Sequence, residues 1–210
     1  MKPGQTFIDI GAHIGQYSLI AAGTGLDVHC FEPDEKTFQL LQANIAQNRL
    51  TRVTANRAAV SATAGRVPFY PAAPTNIGNS SLRPQSYSTG EEITVECVRL
   101  DSYVKDHNVQ NICLIKIDVE GAECDALEGA EQTIERWRPA IAMELSPVNL
   151  RVFGRNTADV TKWFGNRDFS LYTLGPSGLE RYKQQETEPE FENIIALPSE
   201  FPSPIDVRWP

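Results

Sequence analysis

Four carboxylates stand at or near the ends of short apolar runs: Asp9 after Phe7-Ile8, Glu32 after Leu26 to Phe31, Asp118 after Ile112 to Ile117, and Glu144 within Pro139 to Leu145. Runs of this length and character read as strands of a buried sheet. Open α/β sheets bind ligands beyond the carboxyl ends of their strands, so the four acids describe an acidic rim over one crevice. A carboxylate in such a place must be paired or must bind something. The rim suits a ligand with hydroxyl groups and a positive centre.

The opening stretch shows how such a ligand is approached. Phe7 to Ile10 reads as a strand, Gly11 to Gly15 as a tight turn, and Gln16 onward as a helix. Strand, glycine turn and helix together present backbone N–H groups at a helix N-terminus. Gly11 permits the sharp turn and Gly15 lets the helix pack closely on the strand. Glu32 lies about 20 residues further on, where an acid meets ribose hydroxyls in dinucleotide and related folds. S-adenosylmethionine offers a ribose, an α-amino group and a sulfonium to such a constellation.

The elements that position these residues alternate. Pro33-Asp34 opens a helix with Phe38, Leu41 and Ile45 on one face. Val53 to Val60 reads as a third strand with an irregularity at Asn56-Arg57, its end near the adenine edge of a bound nucleoside. Arg66 to Tyr70 and Ile93 to Val98 read as strands, Asp101 starts a short helix, and Ile112 to Asp118 is a central parallel strand. A helix follows to Trp137, then a strand from Pro139 to Leu145, a helix from Thr157 to Phe164, and strands at Phe169 to Leu174 and Phe191 to Leu197. The last two are expected to form an antiparallel edge, with Gly175-Pro176-Ser177-Gly178 beginning their connection. The alternation from Phe7 to Leu145 predicts a mostly parallel three-layer α/β sheet. Pro71 to Gly90 is rich in Pro, Ser, Thr, Asn and Gly and reads as a long surface loop, either a lid or binding loop or a plain connector. Within it, Asn79-Ser80-Ser81-Leu82 offers amide and hydroxyl groups to an acceptor, and Arg83 offers charge for an acidic sugar.

The 210 residues are expected to form one domain spanning 1–210. The net charge of −8 argues against nucleic acid as the main partner, because phosphate binding needs clustered Lys and Arg. No run is long and apolar enough to span a membrane, and no signal peptide is visible. Cys30, Cys97, Cys113 and Cys124 are scattered without a Cys-x-x-Cys pair, which reads as the reduced thiols of a cytoplasmic protein. His13, His29 and His107 lack ligand-like spacing, which argues against a zinc site, and no metal ligand is assigned; with this many carboxylates a metal that acidifies a sugar diol stays open, though nothing in the spacing requires one. The first strand begins almost at once: the chain is either a minimal domain or part of a longer protein.

Phe7 to Gly15, Phe31-Glu32-Pro33 with the helix holding Asn44-Ile45, and Ile115-Lys116-Ile117-Asp118-Val119-Glu120-Gly121-Ala122-Glu123 together resemble the FkbM family of S-adenosylmethionine-dependent methyltransferases. Gly129-Ala130, Arg138-Pro139 and Glu144 continue the pattern, so the resemblance covers Lys2 to Leu145. His13 departs from it, since the family pattern most often has Asn there. The segment before the first strand, which in many relatives helps cover the site, is also missing. The resemblance implies a Rossmann-like class I methyltransferase fold, a seven-stranded sheet with the last strand antiparallel. It implies O-methylation of a sugar, glycan or secondary-metabolite hydroxyl, with S-adenosylhomocysteine as the second product. By position, Gly11, His13 and Gly15 would shape the turn against the methionine end of the cofactor. Asp9 would act through water or the amino group, Glu32 would hold the ribose, Asn56 to Ala58 would flank the adenine, and Asp118 would face the transferring methyl.

A hydroxyl acceptor needs a base, and Asp118, Glu120 and His13 are the candidates. Glu123 reads instead as a helix first-turn acid. Tyr17 and the tryptophans Trp137, Trp163 and Trp209 read as packing residues. Lys116 shares a strand face with Asp118 and needs a partner, because a lysine in an apolar strand cannot stay charged alone. In the implied fold Asp9 and Glu144 flank it, as ion-pair partners or beside an acceptor hydroxyl. Two other functions are open to a chain of this kind. A nicotinamide-dependent oxidoreductase would need Gly-x-Gly-x-x-Gly where this chain has Gly-x-x-x-Gly, and a Tyr-x-x-x-Lys pair that it lacks. The other is a non-catalytic cofactor-binding domain. The oligomeric state and the acceptor are not written in the sequence.

Overall fold

Strand β1 (Thr6–Ile10) runs through the middle of the molecule, and every residue of it is buried. Its alternation divides the sheet into two faces. Ile8 and Ile10 point to one side, where they join Ile115, Ile117, Leu127 and Phe164 in one core. Phe7 points to the other side with Val28, Cys30, Phe38 and Leu41. Each face is covered by its own layer of helices, the arrangement expected of an alternating α/β chain. The computed structural model describes residues 1–72, 80–86, 88–175, 178–183 and 189–201. Asn79, Pro176, Ser177 and Trp209 lie outside the described residues.

After β1 the chain forms α1 (Gln16–Gly23), β2 (Asp27–Phe31), α2 (Glu35–Gln47) and β3 (Val53–Asn56). Asp34 caps α2 by accepting a hydrogen bond from the Thr37 backbone. Next come β4 (Ala59–Val60), β5 (Gly65–Phe69), β6 (Ile93–Val98) and α3 (Leu100–Asp106). The second half contains β7 (Ile112–Ile117), α4 (Glu123–Gly129), α5 (Glu131–Trp137), β8 (Ala140–Leu145), α6 (Pro147–Val152), α7 (Thr157–Gly165), β9 (Phe169–Gly175), β10 (Gly178–Arg181) and β11 (Glu192–Pro198).

The main sheet has eight strands in the order β10-β9-β11-β8-β7-β1-β2-β3, one more than the seven expected. From β3 to β8 all pairings are parallel. β11 enters antiparallel between β8 and β9, as the reversed last strand should. The additional strand is β10, a short hairpin arm folded back on β9.

The expected third strand, Val53 to Val60, is two strands in two sheets. β3 ends where the Asn56 side chain donates to the Cys30 carbonyl at 3.1 Å, closing the edge beside β2. Ala59 and Val60 then pair with β6 in a separate three-stranded sheet, β4-β6-β5. The single helix expected up to Trp137 is likewise two. Its second half starts afresh because Asp101, on α3, accepts hydrogen bonds from the backbones of Gln132 and Thr133 at 3.3 and 2.8 Å. A carboxylate reaching across from another helix serves as the cap that Ala130 cannot provide. Helix α6 and strand β10 were not expected. The signal for α6 is Ser146-Pro147: Ser146 caps the helix and Pro147 opens it.

The 71–90 stretch is partly tied down. Tyr70 and Ser81 exchange backbone hydrogen bonds at 2.8 and 3.2 Å, and Ala72 bridges Ser88. On the α1 side, part of the sheet beyond β7 is an open groove of about 1170 Å³ lined by Tyr17, Ala142, Thr173 and Ile195. No helix among the described residues is long and apolar enough to cross a membrane.

Gly129, on α4, lies against the backbone that follows β4, since a Cβ there would overlap the Ser61 carbonyl. Gly129→Ala is expected to cost about 1–3 kcal/mol of stability through overpacking, read as a lower urea midpoint with an unchanged slope.

Candidate active site

The turn after β1 is clamped from both sides. The Gly11 and Ala12 N–H groups donate to the Phe31 carbonyl at 3.1 and 2.9 Å, and the Asp118 N–H donates to the Ile10 carbonyl at 3.1 Å. Gly11 has φ +78°, and a Cβ on it would run into the Asp118 carbonyl oxygen. Any other residue would push the ends of β1 and β7 apart. His13 follows with φ +51°, in the left-handed region that Asn and His enter more readily than most residues.

Glu32 locks this turn to the end of β2. Its two carboxylate oxygens accept the backbone N–H groups of His13 at 3.0 Å and Asp34 at 2.9 Å. Burial pushes the Glu32 carboxyl up to about 7, against the pull of these two hydrogen bonds. Burial also lowers His13, which favours the neutral imidazole, and its Nε2 is buried with no hydrogen-bond partner among the described residues.

Behind the turn lies a buried charge cluster. Sheet register places Asp9 directly beside Lys116. Asp9 is fully buried; the Ser18 hydroxyl donates to its Oδ2 at 2.6 Å, and Lys116 Nζ lies 3.7 Å from Oδ1. Lys116 also pairs with Asp118 at 3.1 Å, donates to the Gly11 carbonyl at 3.3 Å, and lies 5.2 Å from the centre of the Tyr17 ring. Burial raises the Asp9 carboxyl, and Lys116 and Ser18 draw it back down. The expected partner Asp9 is therefore found. The other, Glu144, forms no ion pair with Lys116: the ammonium turns to Asp118 on its own strand.

In front of the turn is a cleft of about 250 Å³. Glu32, Asp118, Glu120 and Glu144 line it, together with Gly11 and His13. Its apolar wall includes Phe31, Pro33, Ala58, Val60 and Phe69, and Ser80, Ser81 and Leu82 close another side. All three base candidates, Asp118, Glu120 and His13, thus meet at one cavity. Of the residues assigned to the cofactor, Gly11, His13, Glu32, Ala58 and Asp118 line it, whereas Asp9, Gly15 and Asn56 do not. Asp9 is held in the layer beneath. Gly15 packs α1 against Leu41, and Asn56 is engaged with the β2 edge.

Glu120 joins three segments. Asn149, on α6, donates to its carboxylate at 2.6 Å, while Ser81 Oγ and Gln85 Nε2 donate to its carbonyl at 2.8 and 3.3 Å. Asn149 was missed at the sequence level because α6 was missed. Glu123 is wholly buried and accepts the Gly121 N–H at 3.0 Å, so it holds the same turn from behind; burial pushes it up to about 7. Arg83 points away from the cleft, donating to the Val152 carbonyl at 3.0 Å and stacking over Phe153. No group of three or more His, Cys, Asp or Glu side chains among the described residues is arranged to hold a metal ion.

A family model described as the methyltransferase FkbM domain matches residues 9–171. The chain belongs to the FkbM methyltransferase family. Among curated relatives, the 31-O-demethyl-FK506 methyltransferase FkbM of Streptomyces tacrolimicus is 34% identical over 161 residues, covering 62% of this chain and 61% of the relative. The 2-O-methyltransferase NoeI of Sinorhizobium fredii is 27% identical over 152 residues, covering 65% and 62%. The chain thus spans about three fifths of the length of these relatives. A crystal structure of methyltransferase FkbM from Methylobacillus flagellatus superposes with a TM-score of 0.60 at 20% identity, over 94% of this chain and 44% of that one. At that identity the likeness shows the fold, a Rossmann-like methyltransferase fold.

The cofactor of this FkbM domain is S-adenosylmethionine, as its family indicates. The cleft fits it: a buried carboxylate at the end of β2 stands next to an apolar slot between Phe31, Pro33, Ala58 and Val60. Family membership also displaces the nicotinamide-dependent alternative.

Lys116→Met would leave Asp9 buried with only Ser18 for a partner. It is expected to cost about 3–5 kcal/mol, measured by chemical denaturation. Stability should also depend on pH in an unusual direction. Glu32 and Glu123 have an ordinary value of 4.5 and lie at about 7 in the fold. Between those values the native state holds more protons than the unfolded chain, so their stabilising contribution is full at low pH and disappears as pH rises through about 7. Denaturation midpoints should fall from pH 5 to pH 8, and Glu123→Gln should flatten that slope.

Proposed function

We propose that the protein transfers a methyl group from S-adenosylmethionine to a hydroxyl oxygen of a sugar, glycan or secondary metabolite. The observation that carries this reading is one cleft holding Glu32, an apolar slot and three proton-accepting groups, inside a domain of the FkbM family. The names of two relatives, an O-demethyl-FK506 methyltransferase and a 2-O-methyltransferase, support oxygen as the acceptor atom.

Glu32 would hold the ribose hydroxyls with the lone pairs left over from His13 and Asp34. Phe31, Pro33, Ala58 and Val60 would flank the adenine. The turn of Gly11 and His13 would face the methionine end, with Asp9 acting through Ser18 and Lys116. When bound, the cofactor supplies an electrophilic methyl on a sulfonium. The protein's share is alignment and proton removal. Asp118, held in place by Lys116, can accept the acceptor's proton, Glu120 is oriented by Asn149, and His13 is kept neutral by burial and so is able to take a proton. Ser80 to Leu82 form one wall, which supports the described part of the 71–90 stretch as a cover over the acceptor. The four free thiols and the net charge of −8 support a cytoplasmic protein acting on a small molecule or glycan rather than on nucleic acid. One domain over 1–210 accommodates all of these parts.

Calorimetry with S-adenosylhomocysteine tests the cofactor site. Wild-type protein is expected to bind, and Glu32→Ala to weaken binding by about 1–3 kcal/mol, the cost of unmatched hydroxyl groups. No binding by the wild type would overturn the methyltransferase reading. Binding without methyl transfer to any hydroxylated acceptor would favour a non-catalytic domain.

A further inference from the structure

Of the three histidines, His13 alone lines the cleft. Glu32 fixes its backbone N–H at 3.0 Å, and the residue sits at φ +51° in the turn that ends β1. Its ring Nε2 is buried and has no hydrogen-bond partner among the described residues. An imidazole so placed changes the charge of the cleft wall by a whole unit when it takes a proton. The family pattern most often has asparagine there, which has no proton to gain.

The charged groups about the ring come from the elements that meet at this turn. β1 holds Asp9 in the layer beneath, β2 ends at Glu32, and α2 opens with Asp34 and Glu35. β7 and the turn after it bring Lys116, Asp118 and Glu120, and β8 brings Glu144. Helix α1 carries no charged residue, and Arg83 is turned away onto the Val152 carbonyl. Burial is the largest influence on the ring and lowers it; Asp118 raises it and Lys116 lowers it. The neutral imidazole is therefore the resting form, and the proton arrives only as pH falls below the ordinary histidine value of 6.5.

S-adenosylmethionine and S-adenosylhomocysteine differ at one atom: the sulfur of the first bears the extra methyl and a positive charge. A wall of Glu32, Asp118, Glu120 and Glu144 attracts that charge. We propose that His13 is a specificity-determining residue that sets how strongly the site prefers the sulfonium cofactor over its neutral product. With the ring neutral, the acidic wall acts on the sulfonium unopposed. With the ring protonated, the imidazolium repels the sulfonium and leaves the neutral sulfur of the product untouched. Product inhibition therefore tightens in acid. This rests on the methyltransferase reading.

Both ligands bind without turnover when no acceptor is present, so calorimetry on the full chain gives the ratio of their affinities. Between about pH 8 and pH 5, the preference for S-adenosylmethionine should fall about tenfold further in the wild type than in His13→Asn, ~1.4 kcal/mol. Asparagine also enters the left-handed region, and the variant is checked for an unchanged melting curve. The raised carboxyls Glu32 and Glu144 take up protons in both proteins, so the difference isolates His13. Linkage demands the reciprocal effect. By NMR, the wild-type His13 ring should titrate about one pH unit lower in the S-adenosylmethionine complex than in the S-adenosylhomocysteine complex, with His29 and His107 alike in both. An equal fall in the two proteins overturns the inference, as does a His13 ring that titrates identically in the two complexes. If the variant does not fold, the wild-type titration decides alone. If neither ligand binds the wild type, the methyltransferase reading fails first; if both bind and His13 titrates alike, only its role fails.

Discussion

Lys116 reaches from β7 to the buried Asp9 on β1 and to Asp118 at its own strand end, and the site is assembled around that ammonium. Two carboxylates and the Gly11 carbonyl converge on one cation that is 13% exposed. Taking such charges out of water is expensive, and the pair adds little net stability for what it removes from solvent. Its effect is positional. A slip of one residue between β1 and β7 would turn Lys116 onto the face that holds Ile8, Ile10 and Ile115. The charge pair and the apolar cores therefore demand the same register, and that register places the Gly11 turn against Asp118.

Around this centre the backbone is bent where function requires it. Gly11, His13, Gly15, Glu120 and Gly121 all have positive φ, and all belong to the two turns that bound the cleft. Non-glycine residues in that region carry a conformational cost, sustained here by hydrogen bonds. His13 is held by Glu32, and Glu120 by Asn149, Ser81 and Gln85. Both turns are thus pre-set before any ligand arrives, which is what alignment of an acceptor with a methyl group requires.

The division of labour among the acids follows from burial. Asp9, the deepest, is structural; Glu32 ties the first turn to β2 and still lines the cleft; Asp118 is held by Lys116, and Glu120 by Asn149, Ser81 and Gln85. Depth and partner number separate residues that look alike along the chain.

Much of this was legible in the sequence because it is set by local rules. Period-two apolar runs mark strands, a glycine turn before a helix marks a ligand end, and Asp34 marks the start of α2. The strand-end position of the acids follows from those patterns alone, as does the need of Lys116 for a partner. Tertiary structure decided what lies between distant segments. The capping of α5 by Asp101, the division of Val53 to Val60 between two sheets, and the grip of Asn149 and Ser81 on Glu120 join residues far apart in sequence. The choice of Asp118 over Glu144 as the second partner of Lys116 is also tertiary, since it depends on where an ammonium at the end of a flexible side chain finds the nearest oxygen once the strands are aligned. Periodicity reports which face a residue occupies, and only the packed fold sets the distance between faces.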